Sequence, residues 1–225
     1  GMRIRTVHRR DFILHAGAVA AAGLFAVPTQ ARQAPKAPAR APVILVLGDS
    51  LSAEYGLPRG SGWVALLEQK LAQEKIAATV VNASISGETT SGGRARLPAL
   101  LAQHRPSVVV IELGGNDALR GLALAHTEDN LVAMVQAAQQ AGARVLLVGM
   151  QVPPNYGAAY TQQFAALFPK VARTHKTALV PFLLAGVADG PDPTAWFQPD
   201  RIHPNAQAQP RLLANVWPEL VKLLR

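Results

Sequence analysis

Short apolar runs alternate along the chain with longer segments in which apolar residues recur every three or four positions. Val43–Leu47, Thr79–Val81, Val108–Leu113, Val145–Val148 and the weaker Leu179–Phe182 are runs of strand length, the first bounded by Pro42 and Gly48-Asp49. Strands that are apolar on both faces suit a parallel sheet covered by helices on each side. Between them, Trp63, Leu66, Leu67 and Leu71 share one helical face, as do Leu97, Leu100 and Leu101. The same spacing holds for Leu131, Met134, Val135 and Ala138, and for Phe164, Leu167, Phe168 and Val171. A last helix is predicted from about Asn205 to Leu224, with Leu212, Leu213, Val216 and Leu220 inward. Alternating strand and helix predicts an α/β domain: three layers, doubly wound, with a parallel sheet of about five strands and right-handed crossovers. Ligands on such a sheet sit beyond the carboxyl ends of the strands.

The first thirty residues do not fit this rhythm. A basic stretch with Arg3, Arg5, Arg9 and Arg10 precedes an apolar run from Phe12 to Val27 and a small-residue exit at Thr29-Gln30-Ala31. That is the layout of a secretory signal. The run is broken by His15 and falls short of the ~20 apolar residues of a membrane span. Arg9-Arg10-Asp11-Phe12-Ile13-Leu14 resembles the twin-arginine export signal, although His8 stands where Ser or Thr is usual and His15 where Lys is frequent. A general secretory signal containing two arginines is the alternative; either leads out of the cytoplasm, to a periplasmic or secreted protein. Gly1, ahead of Met2, reads as a remnant of cloning. Residues 1–31 are therefore expected to be a signal peptide and 32–41 (RQAPKAPARA) a Pro/Ala-rich linker. The folded domain is expected over 42–225, with no stable membrane insertion after signal removal.

The net charge of +8 at first suggests a polyanionic partner. Without residues 1–31, which hold four Arg and one Asp, it is +5. Without Arg32, Lys36 and Arg40 it is about +2, and nucleic acid is not expected as a partner. The chain has no Cys, which removes disulfides, thiol nucleophiles and Cys-based zinc sites. At 225 residues a single domain can bury most of its apolar surface, and a monomer is favoured.

Four short motifs fall at predicted strand ends or loops. Gly48-Asp49-Ser50-Leu51 follows the first strand, Ser86-Gly87-Glu88-Thr89 the second, and Gly114-Gly115-Asn116-Asp117 the third. Asp200-Arg201-Ile202-His203-Pro204 precedes the last helix. Each alone is a common turn or cap; their joint placement at ligand-facing ends points to a shared site. A Ser hydroxyl is a poor nucleophile until a base takes its proton. His203 is the candidate base, biased away from helical geometry by Pro204, and Asp200 can accept from its Nδ1 and present Nε2 to Ser50. Ser52 occupies the second glycine position of Gly-x-Ser-x-Gly, so this is not the α/β-hydrolase elbow. No HExxH or similar ligand cluster accompanies Asp200 and His203, and neither metal nor cofactor is expected. Asp49, Glu54, Glu88, Glu112 and Asp117 read as structural, and His104, His126 and His175 as solvated helix residues.

In order and approximate spacing the four motifs resemble the conserved blocks of the GDSL lipases, also called SGNH hydrolases. The resemblance runs from Val43 to the C-terminus and is nearest to the bacterial periplasmic thioesterase I/protease I/lysophospholipase subgroup and its arylesterase relatives. Asn155-Tyr156-Gly157 and the stretch from His203-Pro204-Asn205 to Ala208-Gln209-Pro210 add to it. It implies a flavodoxin-like fold and a catalytic triad of Ser50, Asp200 and His203. It also implies an oxyanion hole built from the backbone N–H of Ser50, that of Gly87, and the side-chain amide of Asn116.

The implied activity is hydrolysis of carboxylic esters or thioesters through an acyl-enzyme on Ser50, with a small-molecule or lipid ester as substrate. Aryl esters, fatty acyl thioesters and lysophospholipids are the candidate classes. Leu51, Leu57, Val152, Pro153, Pro154 and Tyr156 are the candidate contacts for the acyl chain. The 150–157 loop resembles the mobile substrate loop of the thioesterase relatives, and a rigid turn is the other reading. A carbohydrate O-deacetylase would use the same fold and groups. A silent flavodoxin-like nucleotide binder would need a phosphate-binding glycine loop, and none opens the first helix.

Overall fold

Five parallel strands, in the order β2-β1-β3-β4-β5, form the centre of the molecule. The structure is a computed structural model describing residues 39–225. The expected signal peptide at 1–31 and residues 32–38 of the expected linker lie outside the described residues. The strands are β1 Val43–Gly48, β2 Thr79–Asn82, β3 Val108–Glu112, β4 Arg144–Val148 and β5 Ala178–Val180. Every residue of β1 and β3 is buried, as their continuous apolar composition requires. Edge strand β2 is only half-buried. β5 stops at Val180 rather than continuing to Phe182, because Pro181 has no N–H for the ladder.

The helices are α1 Trp63–Gln73, α2 Thr90–His104, α3 Gly115–Leu119, α4 Leu124–Gln140, α5 Ala158–His175 and α6 Gln209–Lys222. They fall into two packed groups: α1 lies on α6, and α4 lies between α2 and α5. Their inward positions are the ones that the spacing predicts, including Trp63, Leu67 and Leu71 on α1 and Leu131, Met134, Val135 and Ala138 on α4. Phe164 and Phe168, one turn apart on α5, meet edge to face with centroids 5.4 Å apart. Burying a side chain of that size stabilises the fold by about 1.5–3 kcal/mol. The last helix begins later than predicted. Asn205 caps a single 3-10 turn over Ala206–Ala208, and α6 follows with Pro210 in its first turn, where a missing N–H costs nothing.

The strand order has a functional consequence. From β1 the chain crosses first to β2 on one side, then back past β1 to β3 on the other. The loops leaving β1 and β3 therefore diverge in opposite directions and open a crevice at their carboxyl ends. Ser50 follows β1 and Asn116 follows β3.

Candidate active site

The turn after β1 is built by Asp49. Its backbone carbonyl accepts from the N–H groups of Ser52 at 3.1 Å and Ala53 at 3.0 Å. Its carboxylate Oδ1 accepts from Leu51 N–H at 2.9 Å. Ser50 thus sits on a tight helical turn, half-buried, while Ser52 points inward and is buried. The Ser52 hydroxyl donates to Glu112 Oε1 at 2.6 Å and accepts from Trp63 Nε1 at 3.2 Å. A glycine at 52, as in a nucleophile elbow, would remove this tie between the turn, β3 and α1.

Beside Ser50 stands the loop after β2. Ile85 N–H donates to Gly48 O at 3.0 Å, pinning this loop to the end of β1. Gly87 has φ +82°, a conformation that strains a residue with a Cβ. Among the described residues, the backbone N–H groups of Ser50 and Gly87 have no hydrogen-bond acceptor. Asn116 Nδ2 donates to Glu88 O at 2.9 Å and, more weakly, to Asp49 Oδ2 at 3.4 Å. The second hydrogen is the one that a stronger acceptor in the crevice can claim. Asn116 is placed by its neighbour: buried Asp117 accepts from Thr90 N–H at 2.8 Å and from the Thr127 hydroxyl at 3.0 Å. Asp117 therefore joins α2, α3 and α4 beneath the amide.

The third part arrives from the far end of the chain. Phe197 and Pro204 form an isolated antiparallel bridge that closes the loop between them. Within it, Asp200 Oδ1 accepts from the N–H groups of Ile202 at 2.9 Å and His203 at 3.0 Å. Asp200 Oδ2 lies 2.5 Å from His203 Nδ1, and His203 Nε2 lies 2.9 Å from Ser50 Oγ. These partners assign the tautomer: Nδ1–H donates to the carboxylate, leaving Nε2 to accept from the Ser50 hydroxyl. Desolvation pushes the Asp200 carboxyl up, but hydrogen bonds from the His203 ring and from two backbone N–H groups outweigh it and hold it at about 2. The carboxylate is therefore charged throughout the neutral range.

Beneath the site lies a buried acid pair. Burial raises Asp49 to about 6 against the lowering effect of Leu51 N–H and other hydrogen bonds. Glu112 is raised well above the ordinary carboxylate range, first by complete burial and then by the Asp49 charge. Its Oε2 has no hydrogen-bond partner among the described residues.

The structure brings Ser50, His203 and Asp200 into one hydrogen-bonded chain and sets Asn116 and Gly87 on the adjoining loops. Leu51 and Leu57 lie on the turn that carries Ser50 and are half-buried. Pro153, Pro154 and Tyr156 are exposed, whereas Val152 is buried in the main core. Five residues with no signal in the one-dimensional pattern also stand out. Tyr55, Ile85, Leu119, Leu122 and Ile202 are, with Tyr156, the large hydrophobic side chains left exposed among the described residues. All lie on loops or helix ends, and the Tyr55 ring lies against that of His203, with centroids 4.3 Å apart and planes tilted by 37°. Among the described residues no cluster of three potential metal ligands is assembled, and no helix is long and apolar enough to cross a membrane.

A family model described as GDSL-like Lipase/Acylhydrolase matches residues 46–210. The chain is 55% identical over 186 residues to "Esterase TesA" of Pseudomonas aeruginosa, spanning 83% of this chain and 91% of that protein. It is 47% identical over 172 residues to "Thioesterase 1/protease 1/lysophospholipase L1" of Escherichia coli, spanning 76% and 80%. Among solved structures, the psychrotrophic esterase EstA from Pseudoalteromonas sp., inhibited by monoethylphosphonate, superposes with a TM-score of 0.76 at 40% identity. That match covers 81% of this chain and 98% of the other.

Proposed function

The chain belongs to the GDSL-like lipase/acylhydrolase family and is a carboxylic ester hydrolase, and from that premise we propose that Ser50, His203 and Asp200 are its catalytic triad. The observation that carries the proposal is the unbroken chain from Ser50 Oγ to His203 Nε2 at 2.9 Å and from His203 Nδ1 to Asp200 Oδ2 at 2.5 Å. Ser50 Oγ attacks the acyl carbonyl carbon while His203 Nε2 takes the hydroxyl proton. The negative charge that develops on the carbonyl oxygen meets the N–H groups of Ser50 and Gly87 and the Asn116 amide. Collapse breaks the bond to the alcohol or thiol, which leaves with the proton from His203. Water, deprotonated by the same imidazole, then releases the acid and restores Ser50.

The substrate is an ester with an apolar acyl chain. Aryl esters, fatty acyl thioesters and lysophospholipids are the classes we assign, the last two in line with the thioesterase and lysophospholipase in the name of the Escherichia coli relative. The exposed side chains of Tyr55, beside His203, and of Ile202, on the loop that carries His203, support this reading, with Leu51, Leu57, Pro153, Pro154 and Tyr156 as further contacts; Val152, buried in the main core, is not available to the acyl chain. An acetyl group would leave most of that surface wet. We also assign residues 2–31 to export, 42–225 to the catalytic domain, and the mature protein to the periplasm or exterior, with the twin-arginine route as its path. Recovery of the processed chain from the periplasm or the medium tests this.

For the catalytic assignment, the test is labelling by a fluorophosphonate probe together with an ester panel of graded chain length. Wild type is expected to take up one probe per chain and Ser50→Ala none, while keeping its folded circular dichroism spectrum. Labelling of Ser50→Ala overturns the nucleophile. Rates highest with acetyl and falling steeply by hexanoyl overturn the acyl-chain surface and favour the deacetylase reading.

A further inference from the structure

The loop that carries Asp200 and His203 is assembled within itself. The Gln198 backbone closes it from inside: its N–H donates to His203 O at 2.8 Å, and its carbonyl accepts from Arg201 N–H at 2.9 Å. With the two N–H bonds to Asp200 and the Phe197–Pro204 bridge, residues 197–204 form one small rigid body. That body holds the acid and the base in register with each other. It does not by itself set their distance from Ser50, which lies on a different element 153 residues away in sequence.

We propose that the side chain of Gln198 sets that distance, as a clamp between the loop and the nucleophile turn. Its Nε2 has two hydrogens, and each has its own carbonyl: Tyr55 O at 2.8 Å and Pro204 O at 3.1 Å. Tyr55 belongs to the turn that begins at Ser50, and Pro204 follows His203. One amide group therefore bonds both sides of the gap that the proton must cross. The orientation of the amide is determinate, because two carbonyl oxygens can be satisfied only by the NH2 end. Gly56 completes the fit: at φ +69° it lets the backbone approach, and a Cβ there would run into the Gln198 side-chain amide. The Tyr55 ring, tilted against the His203 ring, lies on the same contact.

Gln198 touches neither substrate nor the reacting atoms, so it is a positioning residue, and its assignment rests on the reading of Ser50 and His203 given above. Glutamate at 198 has the same shape but opposes two carbonyl oxygens with a carboxylate. Alanine simply removes the bridge. Misplacement of a base by ~1 Å costs on the order of 100-fold in rate.

The test measures kcat, KM and the pH profile on a short-chain p-nitrophenyl ester for wild type, Gln198→Glu, Gln198→Ala and Gly56→Ala, after fluorophosphonate titration of active sites. Each variant is expected to titrate to one site per chain, with kcat down about 10- to 100-fold and KM within about threefold. The acid limb of kcat/KM keeps its wild-type position, because Asp200 and His203 move together. Gly56→Ala reaches the same loss from the other side of the contact, and combining it with Gln198→Ala costs less than the product of the two. Values of kcat within about twofold of wild type in both Gln198 variants overturn the clamp. So does a displaced acid limb, which would put the defect in the Asp200–His203 pair. Lost titration in the Gln198 variants with wild-type behaviour in Gly56→Ala overturns it too. If wild type itself does not titrate, the assignment of Ser50 fails instead.

Discussion

His203 Nδ1 lies 2.5 Å from the carboxylate of Asp200, three residues earlier on the same turn, while the other carboxylate oxygen holds the backbone of that turn. One acid therefore shapes the loop and orients the imidazole. Its charge is secured by the donors that hold it at about 2.

Replacing Asp200 with Asn should leave a folded protein with kcat reduced about 10³–10⁴-fold, because the amide no longer enforces the tautomer that presents Nε2 to Ser50. Steady-state kinetics on an aryl ester check this. Stability gives a second readout, with a defined sign. The folded carboxyl titrates below its unfolded value of 3.8, so the contribution of Asp200 is present above that value and lost as pH falls through about 2. Acid unfolding of Asp200→Asn should lack that component, and an unchanged acid-unfolding curve would argue against it.

Asn116→Ala should lower kcat by ~10²–10³, the usual effect of removing one oxyanion donor, with a smaller effect on KM. A fall of less than about tenfold would place Asn116 outside the hole. Asp117→Ala removes the acceptor for Thr90 and Thr127 beneath the same amide. It should reduce stability by about 1–3 kcal/mol, because buried donors lose their partner, and it should reduce kcat as Asn116 loses its support.

Asp49 titrates in the opposite sense from Asp200. Its folded value of about 6 lies above the ordinary 3.8, so its contribution to stability is full below 3.8 and is lost as pH rises through 6. The neutral Asp49→Asn variant has no proton to lose at that position. The difference in Tm between wild type and Asp49→Asn should therefore move in favour of the variant between pH 4 and pH 7, by on the order of 5 °C. A difference independent of pH over that window would show that burial does not raise this carboxyl. Asn at 49 can still accept from Leu51 N–H through its side-chain oxygen, so the nucleophile turn is expected to survive.

The layered α/β architecture was legible in the chain because it follows from local rules. Runs such as Val43–Leu47 are apolar on both faces and therefore central, and helical spacing marks Trp63, Leu67 and Leu71 as inward. Where the chain departs from that pattern, the reasons are also local: Pro181 ends β5 early, and Asn205 interposes a 3-10 turn before α6. The Asp200–His203 pairing was legible too, as a contact three residues apart.

The contacts that no periodicity records are those between distant segments. The reach of His203 to Ser50 spans 153 residues, and the Gln198 bond to Tyr55 spans 143. Both depend on which strands become neighbours, and the order β2-β1-β3 emerges only when the sheet assembles. The residue types at each strand end, and hence the chemistry possible there, can be read from the chain alone. Their separations follow from the assembled fold, because crossovers through helices make distance in space independent of distance along the chain.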